Sequence, residues 1–204
     1  MGKIDFKKTL KAFYSAPSGR FVAVDVPALQ YVLVDGSGDP NTAEAYRNAV
    51  AALYAVSYAM KFAIKAKGAA DYTVPPLEGL WHADDPAAFK ARRKGEWKWT
   101  MVIMAPDFVD DSTFTEACQK AKGKLDVLPA SLRLERIEEG RCLQALHVGS
   151  YDDEGPLLAR LHDEIMLSEG LTFNGPHHEI YLSDPRRVEP ANLRTILRQP
   201  VRPI

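Results

Sequence analysis

The most constraining feature of the sequence is an order of elements, strand, helix, strand, strand, that occurs in both halves. The first half is predicted to contain a strand at 21–34, a helix ending near residue 67, and strands at 72–81 and 97–105. The second half is predicted to contain strands at 132–137 and 142–148 around a hairpin turn at Glu139-Gly140, a helix at 152–169, and strands at 178–182 and 193–201. The repeat lacks the regular strand–helix alternation of doubly wound proteins. It therefore favours an α+β fold, in which a mostly antiparallel curved sheet carries helices on one face.

The length of 204 residues fits one folded domain. We expect this domain to span 20–204 as two pseudo-repeats, at about 20–110 and 130–204, with 1–19 as an N-terminal extension. The polar and basic segment 83–96 is predicted to be a short helix or a loop.

Charge and composition exclude several classes of protein. The 26 basic and 27 acidic residues give a net charge of -1, which argues against a direct nucleic-acid surface. There is neither a long uninterrupted apolar run nor a secretory signal, so we expect a cytoplasmic protein without a membrane partner. Cys118 and Cys142 fit no metal-binding spacing and are expected to be reduced. The near-neutral charge fits a monomer or a weak homodimer.

A glutamate inside an apolar strand is the strongest candidate for function. Glu179 and Tyr181 are two residues apart, so their side chains are expected to point to the same side of the strand. Glu179 is then either a solvent-facing charge at a sheet edge or an acid within a pocket. A weaker echo in the first half places Glu78 near Trp81, and we interpret Glu78 as the counterpart of Glu179. On an ideal strand, however, Trp81 faces the side opposite Glu78.

Aromatic and histidine side chains supply further candidates. Trp97 and Trp99 are predicted to share one face, where they either sandwich a flat ligand or fill the core. The other predicted ligand-binding residues are Tyr31, His147 and Tyr151. Four helix aromatics are instead expected to pack the first long helix on the sheet: Tyr46, Tyr54, Tyr58 and Phe62.

The remaining histidines argue against a bound metal. His177 and His178 are adjacent, so on a strand they face opposite ways, and no histidine spacing matches a zinc motif. His147 and His178 can instead orient a pocket residue or transfer a proton near neutral pH. There is also no glycine-rich phosphate loop. We therefore expect no metal and no other cofactor.

Three segments resemble GyrI-like small-molecule-binding proteins: 147–151 (HVGSY), 178–187 (HEIYLSDPRR) and 190–201 (PANLRTILRQPV). They are most similar to the stand-alone branch that contains the cyclopropanoid cyclopropyl hydrolases. The resemblance implies a duplicated fold with a central cleft that binds flat, apolar, often cationic or reactive aromatic compounds. It also implies an acid in that cleft, which Glu179 matches.

Three functions stay open at this point. The first is hydrolytic opening of a cyclopropane ring in an alkylating compound, with Glu179 acting on water and Tyr181 donating a hydrogen bond. The second is a non-catalytic module that sequesters or senses hydrophobic aromatic ligands. The third is an interaction protein that binds a partner through an open sheet face. A haem-binding variant of a similar fold is a minor fourth option.

Overall fold

The computed structural model describes residues 2–85, 88, 91–125 and 127–204. Its strands are β1 (Val22–Val26), β2 (Leu29–Ser37), β3 (Leu77–His82), β4 (Lys98–Met104), β5 (Arg133–Ile137), β6 (Gly140–Val148), β7 (Leu171–Phe173), β8 (His177–Tyr181) and β9 (Arg194–Pro203). Its helices are α1 (Phe6–Thr9), α2 (Lys11–Tyr14), α3 (Glu44–Ala66), α4 (Asp111–Lys122), α5 (Gly155–Arg160) and α6 (Met166–Ser168). A π-helical turn, Leu161–Ile165, joins α5 to α6.

The chain divides into two compact units. Unit 1 comprises the N-terminal residues through Thr9 together with Leu29–Ile137, and unit 2 comprises Leu10–Ala28 together with Glu138–Ile204. Each unit contains one strand-helix-strand-strand module, β2-α3-β3-β4 in unit 1 and β6-α5-β8-β9 in unit 2. The predicted duplication and the α+β class are therefore confirmed.

Unit 1 is built on the strand order β5-β2-β4-β3, in which every neighbouring pair is antiparallel. Helix α3 packs on β2 and β4, and α4 packs on α3. By length and composition alone, α3 is apolar enough to cross a membrane. Of this apolar window 39 % is buried in the protein, and the buried residues include Leu53, Val56 and Met60.

Unit 2 is built on the order β1-β6-β9-β8, again antiparallel, and β7 pairs with the far end of β9. The helical stretch from α5 to α6 packs on one face of this sheet through Leu161 and Met166, which contact Leu143 and Val201. On the opposite face, α2 contributes Tyr14 to an apolar cluster, which is completed by Leu146, Ile180 and Ile196.

The structure bears on two local predictions. β5 pairs with β2 in unit 1, whereas β6 pairs with β1 in unit 2, so the hairpin predicted around Glu139-Gly140 is wrong. Within the predicted helix or loop at 83–96, residues 86, 87, 89 and 90 lie outside the described residues, and Lys94–Glu96 form a short 3-10 helix.

Candidate functional site

Glu179 and Tyr181 lie on β8 and point to the same face, as their alternation predicts. The Tyr181 hydroxyl donates a hydrogen bond of 2.8 Å to Oε2 of Glu179. The Glu179 side chain is only 15 % exposed, so its carboxylate is held in a largely desolvated position. His178 and Ile180 alternate with this pair and are buried on the other face.

Tyr151 lies on the segment that joins β6 to α5, and His147 lies near the end of β6. The ring of Tyr151 meets that of Tyr181 edge to face, with 5.6 Å between centroids, and Tyr151 is 37 % exposed. His147 Nε2 lies 3.0 Å from the carbonyl oxygen of Ser150, to which it donates a hydrogen bond. His147 thus orders the loop that carries Tyr151. We refer to Glu179, Tyr181, Tyr151 and His177 as the acid–tyrosine cluster.

The loop between β6 and α5 depends on a glycine. Gly149 has a backbone φ of +146°, and a Cβ added there would lie 3.0 Å from Nε2 of His147. A side chain at this position would therefore be strained and would press on the histidine. Gly149 is thus the residue that lets the backbone take this conformation just before Tyr151.

His177 is the member of the cluster that sequence reasoning did not propose for the site. Its Nε2 lies 3.6 Å from Oε1 of Glu179. Burial, followed by the nearby His162 and His178, lowers the pKa of His177 to about 3. The ring is therefore neutral at physiological pH and does not compensate the charge of a Glu179 carboxylate.

The lowered pKa of His177 predicts acid sensitivity. In the unfolded chain His177 takes up a proton near pH 6.5, whereas in the folded protein it takes up this proton only near pH 3. Stability should therefore fall as pH drops below about 6.5. We expect His177→Gln to flatten this loss, measured by urea unfolding between about pH 7.5 and 5.

The matched control is His82→Gln, because His82 is exposed on β3. The chosen pH interval stays above the range in which carboxylates gain protons. An equal pH dependence of the free energy of unfolding in the natural protein and in His177→Gln would contradict the assignment.

The other face of β8 carries a buried ionic network that the sequence did not reveal. His178 Nδ1 lies 2.9 Å from Oε1 of Glu139, and Nη1 of Arg198 donates to Oε2 of Glu139 at 2.9 Å. Burial by itself would raise the pKa of Glu139, but His178 and Arg198 lower it to about 2. Glu139 is therefore an anchored carboxylate rather than a residue of an exposed turn.

In unit 1, the predicted tryptophans gather around Tyr46 of α3. The Tyr46 ring stacks on Trp81 at 6.2 Å and meets Trp99 edge to face at 5.3 Å, while Trp97 meets Trp81 at 5.8 Å. Trp99 is 1 % exposed, and its Nε1 donates to the carbonyl oxygen of Gly38. Trp99 therefore fills the core of unit 1, and Trp97 is the half-buried member of the group.

Glu78 and Tyr31 lie on the opposite face from these tryptophans. The register pairs Glu78 with Val102 and Trp81 with Trp99 along one uninterrupted ladder, so Glu78 points away from the side that α3 covers. Glu179 lies on the helix-covered side of its own sheet, in register with Leu197 and Ala145. The predicted equivalence of Glu78 and Glu179 is therefore wrong. Both Glu78 and Tyr31 are buried.

Three aromatic residues of α3 form an exposed ladder. Tyr54, Tyr58 and Phe62 stack in sequence, with centroids 6.4 and 6.3 Å apart and interplanar angles of 29° and 27°. Tyr58 and Phe62 are 46 % and 53 % exposed, so the prediction that they pack α3 on the sheet is wrong, whereas it is confirmed for Tyr46. Their four-residue spacing was the available signal for a stripe of rings.

Comparison with known protein families identifies the family of this chain. Residues 21–202 match the family described as the GyrI-like small molecule binding domain. The chain belongs to this GyrI-like family. No curated protein matches the sequence. Among the described residues, no group of three His, Cys, Asp or Glu side chains is arranged to hold a metal ion.

Solved structures agree with the family assignment. An uncharacterized conserved protein from Listeria innocua is 40 % identical, with a TM-score of 0.89 over 98 % of this chain and 100 % of that chain. A hydrolase from Listeria innocua is also 40 % identical, with a TM-score of 0.84 and the same coverage. The C-terminal domain of EcmrR shares the fold at 11 % identity and a TM-score of 0.59, over 91 % of this chain and 98 % of that domain. This GyrI-like domain therefore has the family fold over nearly its whole length.

Proposed function

We propose that this GyrI-like protein binds a flat, apolar small molecule at the acid–tyrosine cluster and adds water to it. The observation that carries the proposal is the desolvated Glu179 carboxylate, held through Oε2 by the Tyr181 hydroxyl. Tyr151 and Tyr181 supply aromatic surface directly beside this acid. A site that combines rings with one fixed acid suits a ligand that is cationic or becomes charged during reaction.

The substrate class we propose is an electrophilic cyclopropane conjugated to a carbonyl group, as in DNA-alkylating natural products. The name hydrolase, carried by a 40 % identical protein that aligns over its full length, supports chemistry with water. Such a ring is already strained and activated. The protein therefore has to supply only a positioned base, a hydrogen-bond donor and a surface that orients the substrate.

The proposed step is the attack of one water molecule on a strained ring carbon. The new C–O bond forms as a ring C–C bond breaks, and that electron pair moves through the conjugated system onto the carbonyl oxygen. Glu179 accepts the proton that the water loses. The developing oxyanion then takes up a proton, so that the product is the substrate plus one water.

In this scheme the two oxygens of the Glu179 carboxylate have different roles. Oε2 accepts from Tyr181, and the water that Glu179 activates donates to Oε1. His177 lies 3.6 Å from this Oε1 and is neutral, so it leaves the basicity of the carboxylate in place. Tyr181 is in this scheme the residue that fixes the orientation of the base.

The alternative is binding without chemistry, in which the ligand is sequestered or sensed. The observation that favours it is the edge-to-face pair of Tyr151 and Tyr181 beside the Glu179 carboxylate, since aromatic rings next to one fixed negative charge suit the binding of an aromatic cation. In this case Glu179 supplies charge to an aromatic cation, which leaves unchanged.

The test is a mass-spectrometric turnover assay with a cyclopropane-bearing alkylating compound. We expect the natural protein to form a product heavier by one water. Glu179→Gln should reduce the rate by about a hundredfold or more, because an amide of the same shape cannot take the proton. Glu169→Gln is the matched control, since Glu169 is exposed at the end of α6 and should keep the full rate.

Binding is measured in parallel with a rhodamine dye and an uncharged ring of similar size. If no product forms, but Glu179→Gln weakens dye binding by about tenfold to a hundredfold and leaves the neutral ring unaffected, the non-catalytic alternative holds. If the protein forms no product and does not bind the dye, both functions are rejected for these compound classes.

A further inference from the structure

Thr195 is a buried polar residue that faces the acid–tyrosine cluster, and its hydroxyl lacks a hydrogen-bond partner among the described residues. It lies on β9 and is 0 % exposed. Proteins rarely bury a hydroxyl in this way, because the group has lost its water and gained nothing in return. An orphaned hydroxyl therefore indicates an absent polar partner.

The strand register fixes where this hydroxyl lies. Thr195 is directly opposite Tyr181 of β8 and directly opposite His147 of β6. Opposite residues of antiparallel strands point to the same face, with Cβ atoms about 4.5–5.5 Å apart. Ile196, the next residue, faces the other way into the cluster with Ile180. Thr195 therefore shares the face of Glu179 and Tyr181.

The adjacent side chains already have hydrogen bonds elsewhere. Tyr181 gives its hydroxyl proton to Glu179, and Nε2 of His147 is bound to the carbonyl of Ser150. Thr195 Oγ1 is also closed to bulk solvent, so its partner must be about the size of a water molecule. A buried water usually needs two to four polar partners, and Thr195, Glu179 and Tyr181 are polar groups on one face.

We propose that Thr195 binds the water molecule that Glu179 activates. This inference rests on the proposed function and adds a residue to the same site. The threonine hydroxyl donates to or accepts from the water, and Glu179 accepts the proton that the water loses on attack. Thr195 thereby fixes the position of the nucleophile, whereas Tyr151 and Tyr181 supply the surface on which the substrate lies.

Thr195→Val tests the proposal because valine keeps the shape of threonine and removes only the hydroxyl. If Thr195 merely fills the core, its replacement by valine should leave stability unchanged or raise it, and turnover should be unaltered. If Thr195 binds the water, the variant should fold with an equal or higher Tm and lose about tenfold or more in kcat. KM should stay unchanged, because the surface that binds the substrate is intact.

A second pair of variants keeps the test decisive if valine does not fold. Thr195→Ser and Thr195→Ala both lose the methyl group and differ only in the hydroxyl. We expect serine to keep kcat within about threefold of the natural protein and alanine to lose it as valine does.

The possible outcomes separate this inference from the proposed function. Turnover that is lost in Glu179→Gln but kept in Thr195→Val and Thr195→Ala overturns the role of Thr195 alone. Absence of turnover in the natural protein overturns both. A fall in kcat that serine restores, without a fall in Tm, supports the water site.

Discussion

Replacing Arg198 with methionine should lower the free energy of unfolding by about 3–5 kcal/mol, the usual cost of removing one partner from a buried ion pair. Arg198 is 1 % exposed, and its Nη1 donates to Oε2 of Glu139 at 2.9 Å. Without the guanidinium, the Glu139 carboxylate stays buried with His178 as its remaining side-chain partner in the network. The protein must then either keep this charge at high cost or protonate it.

The same change releases other parts of unit 2. Nη2 of Arg198 donates to the carbonyl of Phe13 at 2.6 Å, and Nε donates to Oε1 of Gln144 at 3.1 Å. Gln144 in turn donates to the carbonyl of Ala12 at 2.8 Å. The network therefore ties α2 and the residues beside it to the central strands β6 and β9.

Urea unfolding of Arg198→Met, Glu139→Gln and the double variant measures this effect. We expect the double variant to lose less than the sum of the two single changes, since neither charge is then left alone. Arg194→Met is the control, because Arg194 is exposed on the same strand. A loss below about 1 kcal/mol for Arg198→Met, the level of a surface pair, would contradict the buried network.

Gly36→Ala should cost about 3 kcal/mol, at the upper end of the usual range for overpacking a core. A Cβ added at Gly36 would lie 2.1 Å from Cη2 of Trp99 and 2.5 Å from Cζ2. The indole cannot move away cheaply, because it is 1 % exposed and is held by Tyr46 and by the carbonyl of Gly38. The glycine is thus required by the ring that lies over it.

Thermal and urea unfolding of the purified variant measure this cost. Gly95→Ala is the matched control, since a Cβ at Gly95 meets nothing within 4 Å. It should change stability by no more than about 0.5 kcal/mol. The double variant with Gly36→Ala and Trp99→Leu should be more stable than Trp99→Leu alone, because the added methyl group then recovers part of the stability that the loss of the indole removes. Equal stability of Gly36→Ala and the natural protein would show that the indole can move.

Features that depend on local periodicity were predictable from the sequence. Alternation along β8 was sufficient to place Glu179 and Tyr181 on one face and to separate His177 from His178. The repeated order of elements was sufficient to predict the duplicated α+β fold. These features depend on the spacing of residues along a single segment.

Features that depend on pairing between distant segments were not predictable. Glu78 and Glu179 each lie near an aromatic residue, which suggested equivalent positions. Strand register shows that Glu179 lies on the helix-covered face of its sheet, whereas Glu78 lies on the face opposite α3. A four-residue spacing correctly predicted a stripe of rings on α3. It does not tell whether that stripe faces the sheet, as Tyr46 does, or solvent, as Phe62 does.

The sequence by itself determined the elements, their duplication and the face that Glu179 shares with Tyr181, because each follows from spacing within one strand or one half of the chain. Only the tertiary structure decided that Glu139 binds Arg198 across 59 positions, and that Thr195 lies between Tyr181 and His147. The physical reason is that hydrogen bonds and burial depend on which strands become neighbours. That choice is made by the packing of the whole unit.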